Sequence, residues 1–243
     1  MNIALDPATG MFLSGMREAG GKPLYELTVE EIRAVIGAAS AQLAAPLAEV
    51  HEIVDQRIPV EGGEIGLRIY TPRPLTAGER LPLVLQFHGG GFIAGDLETH
   101  DSVSRYYARH ADAIVVAVDY RLAPEHRFPV ALEDSYAAVA WASEHAAEWH
   151  GDPGRLALVG DSAGGNLSAA ICQLAKARGG PRIAFQALIY PVVDFDVAAD
   201  YASRTLFGGG DYFLSMRDME FAMGTIMKTV LRCTKASSTE KLE

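Results

Sequence analysis

Gly160-Asp161-Ser162-Ala163-Gly164 closes one apolar run and opens an alanine-rich one. The spacing G-x-S-x-G places a serine on a sharp strand-to-helix turn. The flanking glycines permit close backbone approach, and the hydroxyl stands clear of a sheet. A lone G-x-S-x-G arises by chance in glycine-rich chains. Here it lies between Arg155-Leu156-Ala157-Leu158-Val159, which reads as a strand, and Ala163-Gly164-Gly165-Asn166-Leu167, which reads as a helix. That is the context a nucleophilic serine needs, so Ser162 is the candidate nucleophile. Upstream, His88-Gly89-Gly90-Gly91-Phe92 follows another apolar run. Such a loop is suited to presenting backbone N–H groups to a developing oxyanion. Together the two motifs point to acyl-transfer chemistry.

The glycine loop has a rival reading. Gly89-Gly90-Gly91-Phe92-Ile93-Ala94 fits G-x-G-x-x-G/A, and Asp119 ends the next strand, where a ribose-binding acid would sit. Asp119 lies further along the chain than the usual spacing of about 20 residues, and a dinucleotide site has no use for the serine turn. Acyl transfer uses both motifs and is preferred. His88, beside the glycines, reads as a support for the loop, and Asp161 as a support for the serine turn. His100, His110, His126, His145 and His150 read as surface or packing residues. No histidine follows Ser162.

The elements that must position these residues follow from periodicity. Residues 1–50 read as helical, with a capping box at Thr28-Val29-Glu30-Glu31 and apolar Ile32, Val35, Ile36 and Ala39 at helical spacing. Packing on the core is the plainer role for this segment, and a lid the alternative. Residues 51–72 read as a β-hairpin turning at Glu61-Gly62-Gly63. Strands are expected at 81–87, 113–120, 155–160 and 183–190, and helices at 99–110, 130–149 and 163–178. The strands lack clean alternation, as expected for strands buried on both faces of a parallel sheet. A further helix is expected around Met219, Met223, Ile226, Met227 and Val230. The β-α-β-α-β order specifies an α/β fold with helices on both faces of the sheet.

With 243 residues, 49% hydrophobic and 21% charged, the chain can bury one large core. A net charge of -10 argues against nucleic acid and anionic membrane surfaces as partners. Cys172 and Cys233 lack metal-type spacing and fit a reduced compartment. No secretory signal and no membrane span are expected, so the expected location is the cytoplasm.

The chain resembles the hormone-sensitive-lipase group of serine carboxylesterases, within the α/β-hydrolase fold. The residues that carry this are His88-Gly89-Gly90-Gly91-Phe92, Asp119-Tyr120-Arg121-Leu122-Ala123-Pro124-Glu125, Phe128-Pro129, Gly160-Asp161-Ser162-Ala163-Gly164-Gly165-Asn166 and Tyr190-Pro191, across residues 1–218. The resemblance implies that Ser162 is the nucleophile and that Gly90, Gly91 and Ala163 supply the oxyanion-hole N–H groups. It implies an N-terminal helical cap over residues 1–50 and a hydrolase core over 51–243, one structural domain overall, with Tyr212-Phe213-Leu214 helping the cap. It implies a short-chain acyl ester as substrate, with no cofactor and no metal. The group also carries an Asp and then a His on later strands. Asp194, Asp196, Asp200, Asp211 and Asp218 follow the serine, but none has that strand context. The expectation is therefore an esterase lacking its C-terminal strands, with the acid and base unassigned. A hydrolase relic that binds or scaffolds is the alternative, as is a base recruited from a partner subunit or from His100 or His126. Such a chain would expose a sheet edge from Ile183 onward and self-associate through it.

Overall fold

The computed structural model describes residues 5–43, 46–196 and 199–227. Six strands, β1 (Glu52–Val60), β2 (Gly63–Thr71), β3 (Leu81–Phe87), β4 (Ile114–Asp119), β5 (Gly151–Asp161) and β6 (Phe185–Ile189), form one sheet in the order β1-β2-β4-β3-β5-β6. The β1–β2 hairpin is antiparallel and continues antiparallel onto β4, while β4, β3, β5 and β6 run parallel. Helices α3 (Asp101–Ala111), α4 (Val130–His145) and α5 (Ala163–Arg178) make the crossovers between the parallel strands.

Side chains on β4 show why these strands read as unbroken apolar runs. Ile114, Val116 and Val118 enter the main core with Ala138, Val139 and Ala142 of α4 and Leu167 and Ile171 of α5. Val115 and Ala117 point to the other face, into a smaller cluster with Tyr70 and Ala108 of α3. Period-2 alternation persists, but both faces are dry, so the polar half of the pattern is lost.

The chain builds β4 on one side of β3 and then crosses to build β5 on the other. This reversal opens a crevice at the carboxyl ends of β3 and β5, the place where open α/β sheets bind ligands. Phe87 pairs in register with Gly160, so the glycine loop and the serine turn leave the sheet side by side.

Before the sheet come α1 (Pro7–Ala19), a short 3-10 turn (Leu24–Glu26) and α2 (Val29–Leu43); after it come α6 (Ala202–Phe207) and α7 (Met216–Ile226). The Thr28–Glu31 capping box forms as the sequence predicts, with Glu31 N–H donating to the Thr28 hydroxyl and Thr28 N–H to the Glu31 carboxylate. The N-terminal helices do not reach the main core. Leu13 is the buried apolar side chain of α1 and Ile32 that of α2. Val29 instead joins Ile93, Ala123, Phe221, Ala222 and Ile226 in a small cluster above the glycine loop. Tyr25 N–H of the 3-10 turn donates to Asp218 of α7, and Arg17 of α1 to the Asp211 carbonyl between α6 and α7, so the segments before and after the sheet hold each other.

Element boundaries shift modestly from expectation. The 130–149 helix ends at His145 and tightens into a 3-10 turn, Ala146–Trp149. The expected tail helix starts earlier, at Met216, where Ser215 and Asp218 form a second capping box; Val230 lies outside the described residues. No helix among the described residues is long and apolar enough to cross a membrane.

Candidate functional site

Ser162 sits between β5 and α5 with φ 53° and ψ -114°. A non-glycine residue in this region costs on the order of 1–3 kcal/mol and persists only where its surroundings over-determine it. They do so here. Ser162 N–H donates to the Ile189 carbonyl of β6 at 2.9 Å, and Asn166 N–H donates to the Ser162 carbonyl at 3.0 Å. The Asn166 side-chain amide donates to the Val192 carbonyl at 2.7 Å, tying the first turn of α5 to the segment after β6.

Gly164 explains the close approach of the two motifs. A Cβ there would lie 1.9 Å from the Phe87 carbonyl oxygen and 2.7 Å from that of His88. Only a glycine lets α5 start against the end of β3. Gly90 is at φ 112°, and a Cβ there would meet the Ala94 carbonyl oxygen at 2.1 Å. Its own carbonyl accepts from Ile93 and Ala94 N–H groups, closing a tight turn. No acceptor among the described residues takes the N–H of Gly90, Gly91 or Ala163. The last is at the first position of α5, where helix N–H groups are free and the dipole favours negative charge. The chain does not enter a helix directly after the glycines, since α3 begins only at Asp101. The dinucleotide reading needs a helix N-terminus at the loop and is set aside.

His88 is buried, stacked on Tyr120 with ring centroids 4.3 Å apart and 12° between planes. Its Nδ1 meets the Gly89 carbonyl at 2.7 Å, and the Tyr120 hydroxyl donates to the His88 carbonyl at 2.7 Å. Burial, before any charge effect, lowers the imidazole pKa to about 4, so the ring is neutral near pH 7. Burial likewise pushes the Tyr120 hydroxyl well above its usual range. The expected role of His88 as a support for the loop matches these contacts. Asp161, ahead of the serine, accepts from Gly89 N–H at 3.1 Å and lies 3.3 Å from His100 Nε2.

A cavity of about 260 Å³ opens between the first turns of α4 and α5, reaching Asn166 one helical turn after Ser162. Phe92, Phe128, Leu132, Leu167 and Phe195 form its walls and Ile226 of α7 its roof. Its lining is almost wholly apolar, with His126 and Asn166 at the margins. A second cavity, about 680 Å³, lies at the far end of α5 against Ile183 and Phe185.

Among the described residues no side chain is hydrogen-bonded to the Ser162 hydroxyl. His100 is engaged by Asp161, and His126 is exposed. Asp218 is taken up by Ser215 and Tyr25, and Asp194 accepts from the Tyr201 hydroxyl. No group of His, Cys, Asp or Glu among the described residues is arranged to hold a metal. Sequence reasoning missed one device. Arg33 of α2 donates to the carbonyls of Ile93 and Ala123 and pairs with Glu125, tethering the N-terminal helices to the glycine loop. An arginine at the start of an amphipathic helix carries no signal of such a distant partner.

A profile of the alpha/beta hydrolase fold matches residues 84–238. The chain is 45% identical over 223 residues to "Carboxylic ester hydrolase LipN" of Mycobacterium tuberculosis, covering 89% of this chain and 57% of that one. It is 36% identical over 214 residues to "Arylesterase" of Saccharolobus solfataricus, covering 88% of this chain and 67% of that one. Among solved structures, the hyperthermophilic esterase of Pyrobaculum calidifontis superposes with a TM-score of 0.85 at 36% identity, over 93% of this chain and 72% of its own. A thermostable esterase of Pseudomonas putida gives 0.87 at 33%, over 95% and 70%. The chain thus spans little more than half the length of LipN and under three quarters of either solved esterase. With that profile over more than half of its residues and esterases among its relatives and structural neighbours, the chain belongs to the α/β-hydrolase fold family, in its hormone-sensitive-lipase group.

Proposed function

We propose that this chain carries the nucleophile and oxyanion-binding parts of a carboxylic ester hydrolase for short-chain acyl esters. One observation carries the reading. The glycine loop and the strained serine leave adjacent parallel strands at the same end of the sheet, and Gly164 seats one motif against the other. In this reading Ser162 Oγ attacks the ester carbonyl carbon and its proton passes to a base. The negative charge that develops on the carbonyl oxygen is met by the N–H groups of Gly90, Gly91 and Ala163, preorganised in a partly dry site. The tetrahedral species expels the alcohol, which takes up a proton, and water then releases the acid from the acyl-serine. The 260 Å³ cavity takes the apolar acyl or alcohol part. This chemistry asks for no cofactor or metal.

No histidine follows Ser162 in these 243 residues, and among the described residues no side chain is hydrogen-bonded to its hydroxyl. Acceleration from an oxyanion hole and binding alone is on the order of 10³–10⁴ over water. We expect turnover well below the roughly 10 s⁻¹ of ordinary enzymes. The test is p-nitrophenyl acetate and butyrate hydrolysis beside Ser162→Ala, with mass spectrometry of the acylated peptide. Slow, Ser162-dependent acylation supports the reading; equal rates and no Ser162 adduct would overturn it.

Residues 1–50 serve as a cap in the same reading, supported by the α2 and α7 contacts above the glycine loop. Self-association runs through β6, the edge strand of the sheet among the described residues, whose Phe185 is 65% exposed. A cytoplasmic, non-nucleic-acid setting accords with the acidic balance of the chain.

A further inference from the structure

We propose that His100 is a positioning residue for the oxyanion-binding loop, acting through Asp161 on the N–H of Gly89. This rests on the reading of Ser162 and the glycine loop given above. Gly89-Gly90-Gly91 has no side chains with which to hold itself, and glycine backbone is the least restricted of all. Its direction must be fixed from outside.

Beside the His88 ring on the Gly89 carbonyl and the turn that closes on the Gly90 carbonyl, one carboxylate holds the Gly89 N–H. Asp161 Oδ1 accepts from the Gly89 N–H at 3.1 Å and faces His100 Nε2 at 3.3 Å. The carboxylate fits only because position 89 has no side chain: a Cβ there would fall 2.2 Å from Asp161 Oδ2. The Gly89 N–H is buried and lies one peptide before the Gly90 N–H, so its direction sets that of the next donor. A carboxylate so near an oxyanion site also opposes the charge that develops there. A donor on its Oδ1 draws that charge away from the loop.

His100 is built to be that donor. Its Nδ1 lies 3.1 Å from the Thr99 hydroxyl, which donates to the Asp96 carbonyl and accepts from the Asp96 N–H, each at 2.9 Å, while the Thr99 N–H donates to the Asp96 carboxylate at 2.7 Å. Nε2 faces Asp161 Oδ1 at 3.3 Å, and a carboxylate oxygen only accepts, so the contact favours the ring that carries a proton on Nε2. The His88 ring lies 5.6 Å away. The His100 side chain is only 16% exposed. None of these contacts touches the Ser162 hydroxyl, so the role is to orient and not to transfer a proton.

The test uses the full ¹⁵N-labelled chain and two readouts. Amide exchange at Gly89 reads the positioning directly and does not need turnover. Binding of butylboronic acid, which forms a tetrahedral adduct on a serine hydroxyl, reads the oxyanion site, with Ser162→Ala as the blank. In His100→Ala, Gly89 exchange is expected to rise about tenfold, the scale of one lost hydrogen bond, and boronic acid binding to weaken similarly. Val116 and Leu158 amides should stay unchanged. His100→Gln restores an N–H donor and should bring Gly89 exchange back to within about threefold of the parent. Gly89 exchange in His100→Ala within about twofold of the parent would overturn the proposal. If His100→Ala loses core protection as well, His100→Gln decides: restored Gly89 protection supports the proposal, and failure to restore it overturns it. If the parent chain binds no boronic acid, the nucleophile reading fails, while Gly89 exchange still decides the role of His100.

Discussion

Lowering the pH should weaken this fold through one buried ring. His88 is 2% exposed, and its pKa falls from 6.5 in an unfolded chain to about 4 in the folded one, chiefly because burial disfavours the charged form. Between those values the unfolded chain binds more protons, so stability falls as pH falls. The contribution is fully present above pH 6.5 and fully lost below about 4. At 1.36 kcal/mol per unit the whole shift is worth about 3 kcal/mol, of which about 2 kcal/mol is gone at pH 5. Arg73 and Arg33 hold Glu79 and Glu125 at about 2, so these carboxylates titrate below this window. Urea unfolding followed through Trp141 and Trp149 at pH 8 and pH 5 would measure the loss, with His88→Asn as the non-titrating reference. The parent should lose about 2 kcal/mol more than the variant between the two pH values. Equal losses in both would show that His88 is not the group responsible.

Gly164→Ala should destabilise by more than about 3 kcal/mol, because its methyl would overlap the Phe87 carbonyl; thermal unfolding within a few degrees of the parent would contradict the packing described. Arg33→Ala removes the tether from α2 to Ile93 and Ala123 and should expose residues 20–50 to limited proteolysis while leaving the sheet intact, at a cost of about 1–2 kcal/mol. Proteolysis at the parent rate would refute the tether. Phe185→Lys should reduce self-association at the β6 edge, read as a smaller apparent mass by light scattering; an unchanged mass would place any contact elsewhere.

The sheet was legible because its signal is local. β3 and β4 are apolar runs of strand length, and the hairpin announces itself at Gly62-Gly63. The strained serine was legible for the same reason, since glycines on either side of a serine at the end of an apolar run leave few other conformations. The contacts that hold the site were not legible. Asp161 reaching Gly89, His100 reaching Asp161 and Arg33 reaching Ile93 join distant parts of the chain. Their residue types carry no periodicity that names a partner. For the N-terminal helices the spacing of Ile32, Val35, Ile36 and Ala39 indicated a helix but not how deeply it packs, and only Ile32 of the four is buried. Val35 is 50% exposed, and Val29 is the residue of this helix that joins the small cluster above the loop.

The strand order carries a consequence for synthesis. β3 lies at the centre of the parallel part of the sheet but is the first parallel strand to be made, and its neighbours β4 and β5 follow only after α3 and α4. Until Gly160 has left the ribosome, the apolar run Leu81–Phe87 has at least one open edge, and such nascent edges are where chains aggregate or call on chaperones. The serine turn comes later still, because Ser162 N–H finds its acceptor on Ile189 of β6. The chain therefore assembles its hydrophobic centre before its strained turn, and a nascent chain stopped before β6 would carry Ser162 without the contact that strains it.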